Sequence, residues 1–564
     1  MRLLKARQGL GILLALGASI PWAGGAVAAT TAARRATPPA LKPLLRSFEA
    51  YVRDLDRLDQ VLPGLQGPKA AEPKQLQGLL KALPAPAPQA LPSSLQAVTI
   101  QRRLTVSLEQ SLALAVQNDP TLQQQVAQVR EQQGYLRSVR GRLYPILSLD
   151  LGGGYRQAMN STLAYAGNTN VPGFGPSSPF FVPSGGRLQY QENVGAGFAA
   201  LRLDYDLVSF ERSAALGQVK QDLLESEQRY GNRLRQLQLD VSEAYYRLQL
   251  ADQLRRIRQV VTDNDTVIYD QVLAMKTVGL VPRVDLMRAE AVLQQSKFLL
   301  DQAEAQRLSG QRRLSNLINV PFDVTLVATE AVRLQPPWPL DLQQTLLRGF
   351  QDNPQLEAIK AARAALLKQA DRRAAELLPR LGLFARGGYD ASQITSPLID
   401  TQGCCKSTLL PGANTQSSDW AAGVLLNWRL FDAGITAGAV QASRAAADRT
   451  AQFEASERNA IRQRLEAAYY DHRAALSQII AANASFRAAR EAYRDSRARY
   501  EFGLADYTDL SDTIRSVTTA MEQRASAITL ANVSYAQLLR ELLAVPTKTD
   551  QPVELPLVLP PSPR

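Results

Sequence analysis

Two rhythms of apolar residues alternate along this chain. Leu122, Val126, Val129, Leu136, Val139 and Leu143 recur at spacings of three, four and seven, the stripe of an amphipathic helix. Pro145 then ends the helical rhythm, and Leu147, Leu149 and Leu151 alternate with smaller or polar residues, as in a strand with two unlike faces. The same switch occurs again, where Pro379 precedes Leu381, Leu383 and Ala385. Both prolines mark helix-to-strand joints. After each strand comes a stretch rich in Gly, Pro, Ser, Asn and Thr, over 156–190 and 390–419, which reads as a long polar loop. The chain then returns through a second alternating run: Leu201, Leu203, Tyr205 and Leu207 in one place, Val424, Leu426, Trp428 and Leu430 in the other.

The switch recurs because the sequence is duplicated. "LEQSLALAVQNDPTL" (Leu108 to Leu122) matches "LQQTLLRGFQDNPQL" (Leu342 to Leu356), and the pairs Pro120/Pro354, Pro145/Pro379 and Tyr155/Tyr389 share an offset of 234. Further on, "EAYYRL" around Tyr245 returns as "AAYYDH" around Tyr469, and "VGLVPRVDL" returns as "FGLADYTDL", both at an offset of 224. Solenoid repeats run to about 20 to 50 residues, so a unit of this length is a duplicated half of a domain.

Each copy predicts the same order of elements. A first helix over 107–143, or 341–378, leads into the strand, loop and strand. A helix over 211–278, or 434–502, follows and spans about 100 Å at 1.5 Å per residue. Leu234, Leu237, Val241, Ala244 and Leu248 keep a three-four spacing within it, the seam of a coiled coil. Gly279 or Gly503 stops the long helix in a tip turn, and a last helix runs back over 282–318 or 506–543. Two shorter helices end to end match one long one, so each copy supplies two helical columns joined by a β-hairpin at one end and a tight turn at the other.

The flanking segments differ in kind. Arg2, Lys5 and Arg7 precede an apolar run from Gly9 to Ile20, and Ala26-Val27-Ala28 offers a small-x-small cleavage site, so residues 1–28 read as a signal peptide for export. No cysteine follows that site to suggest acylation. A Pro-rich extension occupies 29–103, the first repeat 104–318, a linker with a short strand at "VTLVA" 319–340, the second repeat 341–543, and a Pro-rich tail 544–564. Beyond the signal, no run is long and apolar enough to cross a bilayer as a helix.

Charge and chemistry change this picture little. Of the 64 basic and 52 acidic residues, the excess sits mainly before residue 104, and the repeats are close to neutral with mixed signs. That is a solvated surface and not a phosphate-tracking stripe, so nucleic acid is excluded as a partner. One histidine, His472, and two cysteines, Cys404 and Cys405, cannot build a His or Cys metal centre, and no nucleophile constellation accompanies them. His472 continues the stripe of Ile461, Leu465 and Ala468 as a packed seam residue, and the cysteines fall in a polar loop. The sequence predicts neither an enzyme nor a cofactor.

Four alternating strands look like an arc of a membrane β-barrel. Alone they leave unpaired edges in lipid, and the smallest such barrels have about eight strands. A cyclic homo-oligomer closes them, with three chains giving twelve strands. An exported soluble coiled-coil scaffold with small hairpins is the alternative.

The order of elements, the "NDP" and "DNP" segments, the "LYP" and "LLP" joints, "WRLFDAG" from Trp428 to Gly434 and the two glycine-centred tips resemble the TolC family of outer-membrane efflux proteins, over about residues 104 to 543. The resemblance implies an α+β membrane protein: a homotrimer with a 12-stranded barrel in outer-membrane lipid and an α-helical barrel in the periplasm. It implies passive export of small molecules, proteins by type I secretion, or both, with a periplasmic adaptor protein and an inner-membrane pump or ABC transporter as partners. It also implies a pore closed at the helical tips. By position Asp509 and Asp512 match the ring acids of such a pore, Tyr500 its tyrosine, and Asp285 the partner in the first copy; Ala505 stands where the family carries a basic residue. Acids in the first turn of a helix also complement its dipole, which Asp285 and Asp509 suit equally.

Overall fold

The computed structural model describes residues 91–543 except 164–168, 171–180, 183–186, 330–331, 352, 403–407 and 410–411, together with 81–88, Ala50 and Gly78. The signal segment, Cys404, Cys405 and the C-terminal tail lie outside the described residues.

Numbered by their principal elements, the chain runs β1 (Arg102–Val106), α1 (Leu108–Asn118), α2 (Pro120–Gly141), β2 (Ile146–Leu163), β3 (Arg187–Val208), α3 (Phe210–Thr277) and α4 (Arg283–Leu317). The order then repeats as β4 (Val324–Ala328), α5 (Leu342–Phe350), α6 (Pro354–Ala374), β5 (Arg380–Gln402), β6 (Ala413–Asn427), α7 (Ile435–Glu501) and α8 (Tyr507–Leu542). The long helices α3 and α7 carry 68 and 67 residues, about 100 Å each.

Two expectations need correction. The single first helix of each copy is two helices, broken at Asp119-Pro120 and again before Pro354. A residue before proline is pushed out of the helical region, and proline suits the first position of a new helix. Asp119 adopts ψ 119° and caps α2 by accepting the Leu122 N–H; Asn353 caps α6 by accepting the Gln355 N–H. Where they are described, the segments read as polar loops are strand almost throughout, because β2 continues to Leu163 and β5 to Gln402, while β3 and β6 begin at Arg187 and Ala413. Pairing satisfies the backbone whatever the side chains, so polar composition did not prevent a ladder. At the other end of the sheet, Trp428 and Leu430 lie beyond β6. Trp428 donates its Nε1–H to the Leu377 carbonyl at 3.1 Å and ties the returning chain to the joint.

The four long strands form one antiparallel meander, β2-β3-β5-β6, in which β3 pairs with β5 across the two repeats. The helices hang from it in two hairpins, α3 with α4 and α7 with α8. Between sheet and tips lies an equatorial layer. There β1 and β4 pair in parallel, and Leu83 is fully buried with its carbonyl accepting Asn118 Nδ2–H at 3.0 Å.

Residues 332–340 cross the second repeat as a strap. Asn532 of α8 holds it from both sides, accepting the Gln335 N–H at 2.8 Å and donating to the Arg333 carbonyl at 2.7 Å. Trp338 stacks edge-on against Tyr535 and donates its backbone N–H to His472 Nε2 at 3.3 Å. Since Nε2 accepts, the His472 proton sits on Nδ1, facing the Ala531 carbonyl at 3.1 Å. Burial holds its pKa below the usual 6.5. His472 is a neutral packing residue of the seam, as its stripe implies.

Candidate functional site

The register sorts the sheet into two faces. In neighbouring strands directly opposite residues point the same way, and the pleat alternates along each strand. Leu149 pairs with Leu201, which pairs with Gly387, which pairs with Trp420; Leu147, Leu203, Ala385 and Ala422 form the adjacent row. Leu151, Leu383 and Val424 belong to the same face, all exposed, with Trp420 83% accessible. The intervening rows are different. Ser148, Arg202, Arg386 and Ala421 share one, and Asp150, Ala200, Gly388 and Asp419 the next. Arg202 pairs with Asp204 at 2.7 Å and Arg156 with Glu192 at 3.6 Å on this polar face. Near the helix joints one face is therefore apolar and the other charged; farther along, Ser418, Gln416 and Asn414 of β6 enter the first face, and among the described residues β2 and β6 have no outer neighbour.

The two helical tips are built alike. Gly279 takes φ +78° and Gly503 φ +74°, a backbone region where a side chain is strained. Leu280 N–H then bonds the Met275 carbonyl at 2.9 Å, and Leu504 N–H the Arg499 carbonyl at 2.8 Å, closing the same six-residue motif in each copy. Pro282 precedes α4, and Asp506 caps α8 by accepting the Asp509 N–H at 2.9 Å. Sequence reasoning missed this cap, although Asp506 three residues before Asp509 is the spacing that signals one.

The predicted site residues divide into two groups. Asp509 and Asp512 are exposed on the first two turns of α8, and Asp512 is paired with Arg515 at 3.0 Å. Asp285 holds the equivalent first-turn position in α4 and faces Arg288 at 3.6 Å. Tyr500 is instead buried among Tyr493, Tyr507, Leu510 and Ile514, where the two hairpins pack against one another. The acids and the tyrosine thus sit at the same end of the molecule, the acids on the first turns of their helices and the tyrosine in the packing between the hairpins. Arg515 supplies a cation at this tip, which Ala505 does not.

A buried carboxylate lies deeper in the same packing and went unnoticed in the sequence, where Asp265 is one acid in a long polar helix. It is 4% exposed on α3 and accepts the Ser296 hydroxyl of α4. Beside it Asn264 accepts the Tyr493 hydroxyl at 3.2 Å. Burial raises the Asp265 pKa from 3.8 to about 6, with the Ser296 bond acting the other way. Burial also raises the Tyr507 pKa, with the Asp265 charge adding to it. The folded state therefore holds the Asp265 proton more tightly than the unfolded chain does, and stability falls as pH rises from 3.8 towards about 6. At about 1.4 kcal/mol per pKa unit, Asp265→Asn is expected to stabilise the protein by roughly 3 kcal/mol at neutral pH and to flatten this dependence. Melting temperatures of both forms across that range check it; parallel curves would contradict it.

Among the described residues no helix is long and apolar enough to cross a membrane, and no cluster of metal-ligating side chains occurs. That statement does not bear on the sheet, whose apolar face is exposed.

The sequence matches the family described as outer membrane efflux protein over residues 112–320 and 348–543. No curated protein sequence matches. The fold is similar to the Campylobacter jejuni CmeC outer membrane channel (15% identity, 86% of this chain and 94% of that one, TM-score 0.60). It is likewise similar to the outer membrane protein VceC from Vibrio cholerae (16% identity, 77% and 95%, TM-score 0.57). A third similar fold is the open state of the Neisseria gonorrhoeae MtrE outer membrane channel (17% identity, 81% and 98%, TM-score 0.55).

Proposed function

Since the chain belongs to the outer membrane efflux protein family, and so is an outer-membrane efflux channel with its helices in the periplasm, we propose that three copies close into one passive exit duct. The observation that carries this is the open-edged sheet whose one face is apolar across all four strands in the rows of Leu147 and Leu149. Unpaired edges do not persist in lipid, so β2 of one copy meets β6 of the next. Three copies supply twelve strands, with the apolar rows toward lipid and the charged rows lining water. The helical columns, hung from the same ring, continue that lumen for about 100 Å. A soluble scaffold is disfavoured, because so large an apolar face has no place in water.

The duct itself transports nothing uphill. In this reading a periplasmic adaptor protein docks the helical end to an inner-membrane pump or ABC transporter, which supplies the energy. Small molecules, and proteins by type I secretion, are the two cargo classes that a wide aqueous bore admits.

The tips close the duct. Threefold repetition gathers Asp509 and Asp512 of α8 at the mouth, where their carboxylates attract cations and repel each other. Tyr500, buried where the two hairpins of each copy pack, helps hold them in the closed arrangement, and Asp285 adds its charge at the tip of α4 beside Arg288. Arg288 and Arg515 temper the charge, so this mouth closes by packing as much as by acidic rings. That MtrE has been seen in an open state supports a tip that moves.

The experiment is a planar-bilayer recording of the double variant Asp509→Ala, Asp512→Ala. Higher single-channel conductance and weaker block by divalent cations are expected, with greater antibiotic leakage into cells. Unchanged single-channel behaviour would remove these acids from the mouth.

A further inference from the structure

Two phenylalanines occupy the polar face of the sheet, Phe198 on β3 and Phe384 on β5. A large apolar ring among charges is out of keeping with a water-lined wall. Each, however, lies against a glycine on the paired strand. Gly152 is directly opposite Phe198, and a Cβ added to it would fall 2.4 Å from Cε1 and 2.6 Å from Cζ of the ring. Gly423 is directly opposite Phe384, and a Cβ there would fall 3.1 Å from Cε1 and 3.2 Å from Cζ. Both distances are shorter than ordinary carbon contacts of about 3.5 to 4.0 Å. The rings therefore lie across the glycine backbone; Phe198 depends on the missing side chain, whereas Phe384 would have to give by only a few tenths of an ångström.

We infer that Gly152 and Gly423 set the bore of the barrel, by giving Phe198 and Phe384 a berth flat against the wall. Resting there, a ring covers the exposed glycine backbone of the neighbouring strand and leaves the lumen clear. Turned outward, it would stand several ångströms into the passage, three times over for each position in the closed ring. For Phe198 the other flank is taken, because Asp390 of β5 lies directly opposite it. A ring displaced from Gly152 therefore turns toward the lumen. The displaced atoms are the far edge of a rotatable side chain, so the change moves the ring and leaves the strand ladder intact.

This inference rests on the reading of the charged face as the lumen. It makes the size limit of the barrel a property of two glycines, independent of the gate at the helical tips. Substrates that fit past flattened rings would be excluded by raised ones, so the pairs Gly152/Phe198 and Gly423/Phe384 determine specificity by size.

The test is polymer exclusion in planar bilayers, with polyethylene glycols of graded mass added on the side that faces the barrel. Polymers that enter lower the conductance, and the cut-off mass measures the bore. Gly152→Ala is expected to shift the cut-off to smaller polymers, and Gly152→Ala with Phe198→Ala to restore it. Phe198→Ala alone is expected to leave it nearly unchanged, since a flat ring takes little of the passage. An unchanged cut-off in the first variant, or a clear widening in Phe198→Ala, would overturn the inference while the duct reading stands. The Phe198→Ala arm decides even if the glycine variant fails to assemble. Absence of any channel in the unmodified protein would sink the duct reading itself.

Discussion

Glu541→Ala is expected to lower the stability of the folded chain by about 3 to 5 kcal/mol, the cost of leaving buried charges without their partner. Glu541 is 3% exposed near the end of α8, in the equatorial layer. Its carboxylate accepts Arg464 Nε of α7 at 3.0 Å, and Arg540 Nη1 and Asn353 Nδ2 as well. Its backbone carbonyl accepts Arg235 Nη2 of α3 at 2.7 Å. One acid therefore ties α3, α7, α8 and the cap of α6 together. Arg235 shows how finely this is balanced: burial lowers its pKa to about 10, Glu541 supports its charge and Arg540 opposes it. Without Glu541 the buried Arg235 and Arg540 repel in a site with little water, while Arg464, 43% exposed, keeps Glu457 at 3.1 Å. Glu541→Gln should cost less, because an amide oxygen still accepts one bond. Thermal unfolding in detergent, followed by circular dichroism, checks both; an alanine variant that melts with the parent would show that the arginines find water instead.

A second large effect separates two neighbouring residues. Leu149→Arg is expected to cost up to about 2 to 4 kcal/mol per copy, the penalty for arginine on the lipid face at the midplane of a membrane barrel, which falls towards the interfaces. Ser148→Arg is expected to cost far less, because Ser148 points to the opposite face in the row of Arg202 and Arg386. The introduced side chain is the same in both variants, and the parity of the strand sends it to opposite faces. Urea titration of the protein folded into lipid vesicles measures the difference. Equal penalties would mean that lipid does not cover the leucine face.

These expectations show where the sequence was readable. The alternation of Leu147, Leu149 and Leu151 marked two faces of unlike polarity before the register was known, since period-two patterning survives any choice of partner strand. The glycine tips were equally plain, for a positive φ at Gly279 and Gly503 follows from a helix that must reverse within a few residues. The long helices were legible to within a residue or two, 211–278 against Phe210–Thr277 for the first. Strand ends were not legible, because Gly, Ser and Asn in β2 and β5 carry turn composition into paired backbone. The break at Asp119-Pro120 was missed although the proline is visible there, since apolar spacing continues across it and periodicity is blind to a local kink. At the tips the sequence marked Asp509 and Asp512 but not Asp265, Arg288 or Arg515. Partners across helices depend on rotation and burial, and neither is written in spacing along one helix. The phenylalanine berths were hidden for a similar reason, because Gly152 and Phe198 meet only through the ladder.

All of this depends on one protomer being an incomplete arc of a sealed ring. The direct measurement is the mass of the mature protein extracted in detergent, by light scattering corrected for bound detergent, followed by reconstitution of the same fraction into planar bilayers. The account predicts three chains per particle and discrete conducting steps. A monomer that stays in buffer without detergent and leaves bilayers untouched would contradict it.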